Sequence, residues 1–479
     1  MNLKLACADS PEDRRARRTE KREVFARFLH AASRAQMAAS RYRSHYDPDH
    51  PHVSVAKLFP ATSAISVSAH ARICQGHPMI SGLHIRRLAI AAVLIVPAVV
   101  FTQEAVSPRA KQLHERAIVI DSHDDTTQWL YWEKSWDIAA RHSDGNVDIP
   151  RMRDGGLDAI FFSIWMPSEV TGPIAVKRSL DMIDRVREAV RTHPNDLMLA
   201  TSAADIRKAA AEHKIAALMG MEGGHMIDND LGVLRQYAAL GVRYLTLTHF
   251  KNNDWADSST DKPAHNGLTP FGKDVVRELN RLGVMVDISH VADKTFYDAI
   301  AVSTVPVIAS HSSCRAIDQH PRNMTDDMMR ALAKNGGVVQ INYEVSFLSE
   351  EYRTATKPAD VQAALDAAAK KCGPNEACST SEEAKIARQA MRDGKLPKVT
   401  WEKIVEHIDH AVKVAGVDHV GLGSDFDGAT MPLGMDDVSQ LPRITDALLK
   451  KGYSEQDVAK ILGGNLLRVM EAVERGAKK

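Results

Sequence analysis

From about residue 110 to the end of the chain, short apolar runs alternate with longer segments of helical periodicity. Continuous apolar or β-branched runs predict strands, and apolar positions spaced three or four residues apart predict helices. Buried parallel strands have this continuous apolar character, and each needs a crossover helix before the next strand. The predicted strands are 117–120, 159–164, 215–219, 244–248, 284–288, 305–309, 338–341 and 420–422, and the predicted helices include 175–191, 272–282, 325–334 and 401–414.

Eight strand–helix units predict an α/β fold of the (β/α)8, or TIM, barrel type over residues 110–476. An open doubly wound sheet is less well supported, because no glycine-rich dinucleotide fingerprint follows the first predicted strand. Residues 344–397 interrupt the alternation with a long, charged, alanine-rich segment. We interpret this segment as a helical insertion before the last strand, near the barrel mouth. Its Cys372 and Cys378 flank a Gly-Pro turn and are predicted to form a disulfide in an oxidising compartment.

The charge of the chain is balanced overall but not along its length. Lys and Arg number 61, as do Asp and Glu, so the total charge gives no reason to expect a polyanionic partner, and we expect no nucleic acid at the barrel. Residues 1–78 carry a net charge of +6 and show no lasting apolar period. A basic patch and the uncharged run 88–101 follow Met79.

The run 88–101 is too short to cross a bilayer comfortably and has the length of the apolar region of a secretory signal. We therefore predict that 79–104 is a signal peptide, or an uncleaved membrane anchor over 86–103, and that the protein is exported to a periplasmic or other extracytoplasmic location. A signal should begin a chain, so Met79 is the expected start and 1–78 a non-native extension. The alternative is a basic, disordered arm that binds nucleic acid or an anionic membrane. A mature N-terminus within 1–78 would contradict the first interpretation.

Polar residues of metal-binding and acid–base type follow most of the predicted strands. The carboxyl ends of barrel strands form the catalytic face of this fold, so these residues are expected to share one face. Each residue alone is more often structural than functional, but their common position favours a site. Histidine and carboxylate ligands together suit a pair of Zn²⁺ ions in an open catalytic site. The candidates are His123, Asp125, Glu222, His249, His290, His311 and Asp425.

The motifs around these residues resemble, in order, those of the membrane dipeptidase (renal dipeptidase) family, peptidase family M19, and the chain is similar to a bacterial-type member. The resemblance covers about residues 112–475 and leaves out 1–110, while the insertion 344–397 matches less closely. The motifs are HxD at 123–125, MEGGH at 221–225, YLTLTH at 244–249, GLTPFG at 267–272, VDISH at 286–290, SHSS at 310–313, RN at 322–323, GSDFDG at 423–428 and GNLLRV at 464–469.

The resemblance implies a (β/α)8 barrel that holds two Zn²⁺ ions per chain and hydrolyses dipeptides with a metal-bound hydroxide. It implies that His123 and Asp125 hold one zinc ion. His290 and His311 would hold the second, and Glu222 would bridge both ions. Zinc lowers the pKa of a bound water to about 7, which makes a hydroxide nucleophile available at neutral pH. The resemblance also implies a homodimer.

Three further residues take substrate roles from the resemblance. His249 would lie beside the scissile carbonyl and support the oxyanion, and Arg322 would pair with the terminal carboxylate of the substrate. Asp425 would face the substrate amino group or carry the proton to the leaving amine. Asp427 competes with Asp425 for this role, and Asp425 is preferred because it is nearer the end of the predicted strand.

Alternatives remain open at this point. Family members differ in accepting a D-residue at the C-terminal position and in opening certain β-lactams, so the site could serve another small amide or a β-lactam. A zinc-containing peptide-binding protein without turnover is a second alternative, although every ligand-type residue is present. Binding of nucleic acid or membrane by the basic leader would be independent of the barrel.

Overall fold

Eight parallel strands form a nearly closed barrel in the computed structural model, which describes residues 105–477. The strands pair in the order β1-β2-β4-β5-β6-β7-β8-β9, and a bridge between Asp124 and Phe426 lies where the first and last strands meet. The strands are β1 (Ile120–Asp124), β2 (Ala159–Trp165), β3 (Leu197–Leu199), β4 (Ile215–Glu222), β5 (Val242–Thr246), β6 (Met285–Asp287), β7 (Ile308–Ala309), β8 (Val338–Ile341) and β9 (Val420–Leu422).

Helices connect the strands and surround the barrel, as the alternating pattern predicts. The helices are α1 (Pro108–Arg116), α2 (Thr127–Trp132), α3 (Ile149–Asp154), α4 (Pro173–Thr192), α5 (Ala203–Ala211), α6 (Leu231–Leu240), α7 (Pro270–Leu282), α8 (Asp293–Val302), α9 (Asp326–Asn335), α10 (Val345–Leu348), α11 (Glu350–Thr354), α12 (Ala359–Cys372), α13 (Glu376–Arg392), α14 (Glu402–Ala415), α15 (Pro442–Lys450), α16 (Glu455–Ala459) and α17 (Asn465–Gly476). A π-helical segment, Lys460–Gly464, joins the last two.

The sequence explains where the connecting helices begin and end. Helix α7 begins after Thr269, whose side chain accepts a hydrogen bond from the Gly272 N–H, and Pro270 occupies its first position. It ends at Gly283, which adopts a φ of +70° that few other residues tolerate. Such caps fix the helix ends, so the loops that follow the strands are held at both sides.

The barrel core separates into two layers because strand side chains alternate. Phe161 of β2 belongs to the apolar cluster that includes Leu218 of β4 and Ile308 of β7. The next residue, Phe162, belongs to the larger cluster that packs against the surrounding helices. Both faces of β2 are therefore buried, which accounts for its continuous apolar sequence.

The sequence-based prediction placed one strand too early and omitted another. The first strand is Ile120–Asp124 rather than 117–120, because its residues after Ile120 are polar and were assigned to the loop that follows. The short strand β3 (Leu197–Leu199) pairs only with β4, outside the barrel, and was not predicted. The other predicted strands overlap observed ones, with ends that differ by a few residues.

The predicted insertion 344–397, called the insertion below, is helical and precedes the last strand. It contains α10, α11, α12 and α13, and Cys372 and Cys378 form a disulfide across the turn between the last two. The Arg178 guanidinium lies 3.0 Å from the Glu376 carboxylate, and Asn375 donates a hydrogen bond of 2.7 Å to Glu133. These contacts attach the insertion to the elements that follow the first two strands.

The predicted leader segments 1–78 and 79–104 lie outside the described residues, so the signal or anchor stays a prediction. Within residues 105–477, no helix is long and apolar enough to cross a membrane.

Candidate metal centre and active site

The structure brings the predicted metal ligands together at the carboxyl ends of the strands. Their ligand atoms fall into overlapping groups of three in which all atoms lie within 4.8 Å of one another. Six of these residues are at most 5% exposed, and Asp425 is partly exposed. The residues brought together are His123 in β1, Asp125 and Asp425 in the loops after β1 and β9, Glu222 at the end of β4, and His249, His290 and His311 after β5, β6 and β7.

Glu222 lies between two groups of ligands, one at each carboxylate oxygen. Its Oε1 is 2.8 Å from His290 Nε2 and 3.1 Å from His311 Nε2. Its Oε2 is 3.4 Å from His123 Nε2, which in turn is 3.9 Å from Asp125 Oδ2. The two oxygens of Glu222 thus face two separate sets of ligand atoms.

The donor atoms fit divalent metal ions better than they fit one another. His290 Nε2 and His311 Nε2 are only 3.0 Å apart and face the same carboxylate oxygen. His123 Nε2 and Asp125 Oδ1 are buried and have no hydrogen-bond partner among the described residues. Buried polar atoms are normally paired, so a set of converging unpaired ligand atoms indicates a site for cations.

Neighbouring side chains orient the imidazole rings of His123 and His311. His123 Nδ1 is 2.7 Å from the Tyr244 hydroxyl, and His311 Nδ1 is 2.8 Å from the Ser310 hydroxyl, which donates to Asp287. In metal sites such bonds fix the ring and leave Nε2 free to coordinate. The Nε2 atoms of both rings accordingly point toward Glu222.

Electrostatics in the site reflect burial together with closely placed opposite charges. Burial opposes ionisation of Glu222, but His123 and His249 hold the pKa of this carboxyl well below its usual value. Burial also lowers the pKa of His123, yet the Glu222 and Asp125 carboxylates raise it to about 10. Burial lowers the pKa of His290 and His311 well below the usual value, which keeps these rings neutral. Metal ligation requires a neutral imidazole, so a cation that binds His123 must displace the proton that the two carboxylates favour.

His249 lies next to this group but is held by a different partner. Its Nε2 accepts a hydrogen bond of 3.0 Å from the Trp165 indole N–H and lies 3.8 Å from Glu222 Oε1. Burial lowers the pKa of His249 to about 3, so the ring is neutral near pH 7. His249 and Trp165 therefore form a fixed polar pair on the wall beside Glu222.

Arg322 and Asp425 complete the polar lining. Arg322 donates to the His311 carbonyl at 3.0 Å, while its Nε is buried without a partner among the described residues. Asp425 accepts one hydrogen bond of 2.9 Å from the Asn342 amide. Burial lowers the pKa of Arg322 to about 10 and raises the pKa of Asp425. The Arg322 guanidinium and the Asp425 carboxyl group thus face the same cavity. Each has hydrogen-bonding capacity that the described residues do not use.

The Asp427 carboxylate accepts more hydrogen bonds from within the protein than the Asp425 carboxylate does. Its carboxylate accepts hydrogen bonds from the Thr126 hydroxyl at 2.5 Å and from the Asn146 N–H at 2.6 Å. These bonds tie the loop after β9 to the first motif and to the segment before α3. Asp427 also lines the cavity, but most of its hydrogen-bonding capacity is used within the protein.

The backbone around the site adopts uncommon conformations. His290 and Asp425 have φ values of 68° and 65°, in the left-handed region that costs energy for residues other than glycine. A Cβ on Gly428 would lie 2.0 Å from Asp125 Oδ2, so only glycine allows this close approach. The loop after β9 is therefore shaped to bring Asp425 toward Asp125.

A cavity of about 440 Å³ opens above the converging ligands. One part of its wall is aromatic, and the remainder is polar. Thr380 of α13 reaches this wall from the insertion, so the insertion contributes directly to the cavity. The lining includes Asp125, Gln128, Trp165, Glu222, His249, Phe250, His290, His320, Arg322, Glu344, Ser346, Phe347, Thr380, Asp425 and Asp427.

Comparison with known proteins decides the family. Residues 107–479 match the family model described as membrane dipeptidase, peptidase family M19. The chain belongs to the membrane dipeptidase family. The M19 assignment made from the motifs is confirmed, as is the barrel fold.

Solved structures of similar proteins agree with this membership. The probable dipeptidase PvdM from Pseudomonas aeruginosa is 30% identical with a TM-score of 0.65, over 78% of this chain and 100% of that chain. A metallo peptidase from Rhodobacter sphaeroides, liganded with a phosphinate mimic of the dipeptide L-Ala-D-Ala, is 27% identical with a TM-score of 0.61, over 74% of this chain and 99% of that chain. As an M19 member the chain is a hydrolase of the dipeptidase kind, and its candidate metal-binding groups agree with this.

Several residues of this M19 member hydrogen-bond to the site histidines without being predicted from the sequence. Tyr244 and Ser310 hold imidazole rings, and Trp165 holds His249, but none of them was selected. Tyr244 lies at the third position of β5, where strand alternation turns it into the barrel. A polar hydroxyl inside an apolar strand was the available signal. Glu344 and Thr380 lie in the insertion, whose placement over the cavity no local pattern reveals.

Proposed function

We propose that this chain is a zinc-dependent dipeptidase with two Zn²⁺ ions, which hydrolyses the peptide bond of dipeptides and accepts a D-residue at the C-terminal position. The observation that carries the proposal is the Glu222 carboxylate, whose two oxygens face two separate sets of ligand atoms. Membership in the dipeptidase family supports the substrate class. The complex of the Rhodobacter sphaeroides protein with an L-Ala-D-Ala mimic supports the stereochemistry.

His123 and Asp125 would hold one ion, His290 and His311 the other, and Glu222 both. When bound, the metal pair supplies a water of lowered pKa as nucleophile and polarises the scissile carbonyl. The proposed metal ligands are at most 5% exposed, and electrostatic interactions between groups so far withdrawn from water are stronger than in solvent.

The chain's own residues bind and orient the dipeptide between two charges. The unpartnered Nε of Arg322 is available to the C-terminal carboxylate, for which a guanidinium offers parallel donors. Asp425 faces the amino group or delivers the proton to the leaving amine. Asp425 is preferred over Asp427 because Asp427 already accepts two short hydrogen bonds within the protein.

We place the scissile carbonyl beside His249 and Trp165. His249 Nε2 lies 3.8 Å from Glu222 and accepts from the Trp165 N–H, so support of the oxyanion requires His249 to carry its proton on Nε2 and to donate it to the carbonyl oxygen in place of the contact with Trp165. A donor in this position typically contributes about 2.7–4 kcal/mol to the stabilisation of a transition state.

A substrate panel tests the proposal. The full chain, loaded with zinc, is incubated with L-Ala-L-Ala, L-Ala-D-Ala, L-Ala-L-Ala-L-Ala and a β-lactam, with and without chelator. We expect chelator-sensitive release of free alanine from both dipeptides and none from the tripeptide. Turnover of the β-lactam alone would move the function to another amide. Binding of dipeptides without any turnover would favour the non-catalytic alternative.

We also propose that the protein is exported and forms a homodimer. The pairing of Cys372 with Cys378 supports export, because disulfides persist in oxidising compartments. Cell fractionation with sequencing of the mature N-terminus tests the first proposal. Mass determination in solution tests the second, and a monomer would contradict it.

A further inference from the structure

Glu344 occupies the point where the active-site cavity meets a second cavity beneath the insertion. The second cavity has a volume of about 480 Å³ and is lined mainly by α11, α12 and α13. Five residues line both cavities: Glu344, Ser346, Thr380, Gly428 and Ala429. The two cavities therefore share the wall that carries Glu344.

Local hydrogen bonds hold the Glu344 carboxylate in this position. It accepts from the Ser346 N–H at 3.0 Å and from the Thr430 N–H at 2.6 Å, which joins the loop after β8 to the loop after β9. A carboxylate has about four acceptor sites, so two bonds leave capacity for another donor. The carboxylate is therefore fixed but not saturated.

The negative charge of Glu344 has no cation beside it. Within the part of the chain that the structure describes, Glu344 forms no ion pair, and burial together with the negative charge of Asp425 raises the pKa of its carboxyl. Arg353 also lines the second cavity, but its guanidinium is bound to Asp318 at 2.7 Å and Glu350 at 3.1 Å. Lys357 also lines the second cavity, and it is exposed there together with two carboxylates, Asp366 and Glu383.

Glu344 is partly buried, and a carboxylate in this position without a counter-ion is costly unless a cation reaches it when the site is in use. With Asp425 facing the amino group of the dipeptide, a second carboxylate suits a second positive charge. We propose that Glu344 is a specificity-determining residue that selects dipeptides with a cationic, lysine-like side chain and directs that side chain into the second cavity. This inference rests on the proposed dipeptidase function.

Matched pairs of dipeptides separate the effect of the positive side-chain charge from the effect of side-chain length. Lys-Ala is compared with norleucine-Ala, and Ala-Lys with Ala-norleucine, because norleucine has nearly the same length and apolar stem but no charge. In at least one series we expect kcat/KM for lysine to exceed that for norleucine by about tenfold, which corresponds to about 1.4 kcal/mol. In Glu344→Gln this preference should fall to about one, mainly through KM, while norleucine turnover continues.

Two controls separate charge selection from loss of structure. Glu351→Gln makes the same chemical change at an exposed position of α11 and should leave the lysine preference unchanged. If Glu344→Gln fails to fold, Thr380→Lys places a positive charge at the shared wall without touching the Glu344 hydrogen bonds. This variant should lose the preference for lysine, whereas Thr380→Met, of similar length, should keep it.

Wild-type protein without a lysine preference in either series would overturn the inference, and so would a preference that survives both Glu344→Gln and Thr380→Lys. An equal loss for lysine and norleucine substrates would also overturn it, since Glu344 would then serve every dipeptide alike. In these cases cleavage of neutral dipeptides leaves the proposed function standing. If no dipeptide is cleaved by the zinc-loaded chain, the proposed function fails and this inference fails with it.

Discussion

The carboxyl ends of the barrel strands and the insertion are built by different interactions. At the strand ends, the ligand residues are at most 5% exposed and are oriented by buried hydroxyls and carboxylates. The insertion is attached by polar contacts, such as Arg178 with Glu376, and by buried apolar residues such as Met391 that join the main core, and a disulfide links two of its own helices. The strand ends therefore carry the buried polar groups of the site, whereas the insertion adds helices and cavity wall over the barrel mouth.

The two regions are therefore expected to have different functions: the strand ends perform the reaction, and the insertion affects which substrate is used. The groups that can hold metal and stabilise charge come from six strands of one rigid barrel, in agreement with the position of active sites in this fold. The insertion contributes cavity walls through Glu344 and Thr380. Changes at the strand ends should abolish turnover, while changes in the insertion should alter which dipeptides are used or how stable the protein is.

The largest effect is expected from Glu222→Gln. The variant keeps the size of the side chain but removes the charge that both ligand sets face, so paired metal binding should be lost. Turnover should fall on the order of a thousandfold or more, since loss of even one transition-state donor costs about 100- to 1000-fold. Metal content per chain is measured together with dipeptide cleavage. Two zinc ions retained with normal turnover would refute the bridging role.

Arg322→Ala should act on substrate binding. Loss of a charged hydrogen bond costs about 1.5–3 kcal/mol, so KM for dipeptides with a free carboxylate should rise about 10- to 100-fold. A C-terminally amidated analogue should be almost unaffected, and Arg322→Lys should give an intermediate KM. Equal losses for the free and the amidated substrate would remove the role assigned to Arg322.

Tyr244→Phe tests whether His123 needs the hydrogen bond to the Tyr244 hydroxyl in order to bind metal. The variant removes only the hydroxyl that lies 2.7 Å from His123 Nδ1. Such partners typically contribute about 10- to 100-fold to metal affinity or activity, and we expect about tenfold here. Zinc affinity is measured by competition with a chelator. Unchanged affinity would show that the barrel itself is enough to orient His123.

The smallest effect on turnover is expected in the insertion. In the double variant Cys372→Ser, Cys378→Ser, cleavage of neutral dipeptides should stay within about twofold of wild type, because neither cysteine lines the active-site cavity. The free energy of unfolding should fall by about 2 kcal/mol at most, since the disulfide closes a short loop. Urea denaturation measures this change. Loss of turnover comparable with that of Glu222→Gln would contradict the separation of chemistry from selection.

The same two regions explain what the sequence could predict. The barrel followed from apolar runs and intervening amphipathic helices, and the candidate ligands followed from polar residues at the strand ends. The first strand was placed too early because Asp121 to Asp124, which form most of it, are polar. An apolar-run criterion necessarily fails where the strand itself carries the site.

The insertion was predicted to be helical and to lie near the barrel mouth, but the residues that reach the cavity were not identified. Glu344 and Thr380 are 36 residues apart in the sequence and meet only because α10 to α13 fold over the barrel mouth. Tyr244 was overlooked for a related reason, since its partner His123 lies on a strand that is not adjacent in the sheet. Contacts of this kind depend on tertiary packing and leave no local pattern.

A zinc titration of the metal-depleted full chain tests the central claim most directly. Cleavage of L-Ala-L-Ala is measured as Zn²⁺ is added in known ratio to the protein. The account predicts no turnover without metal, a rise that reaches its plateau at two zinc ions per chain, and complete reversal by chelator. Full turnover by metal-free protein, or saturation with two zinc ions and no dipeptide cleavage, would contradict it.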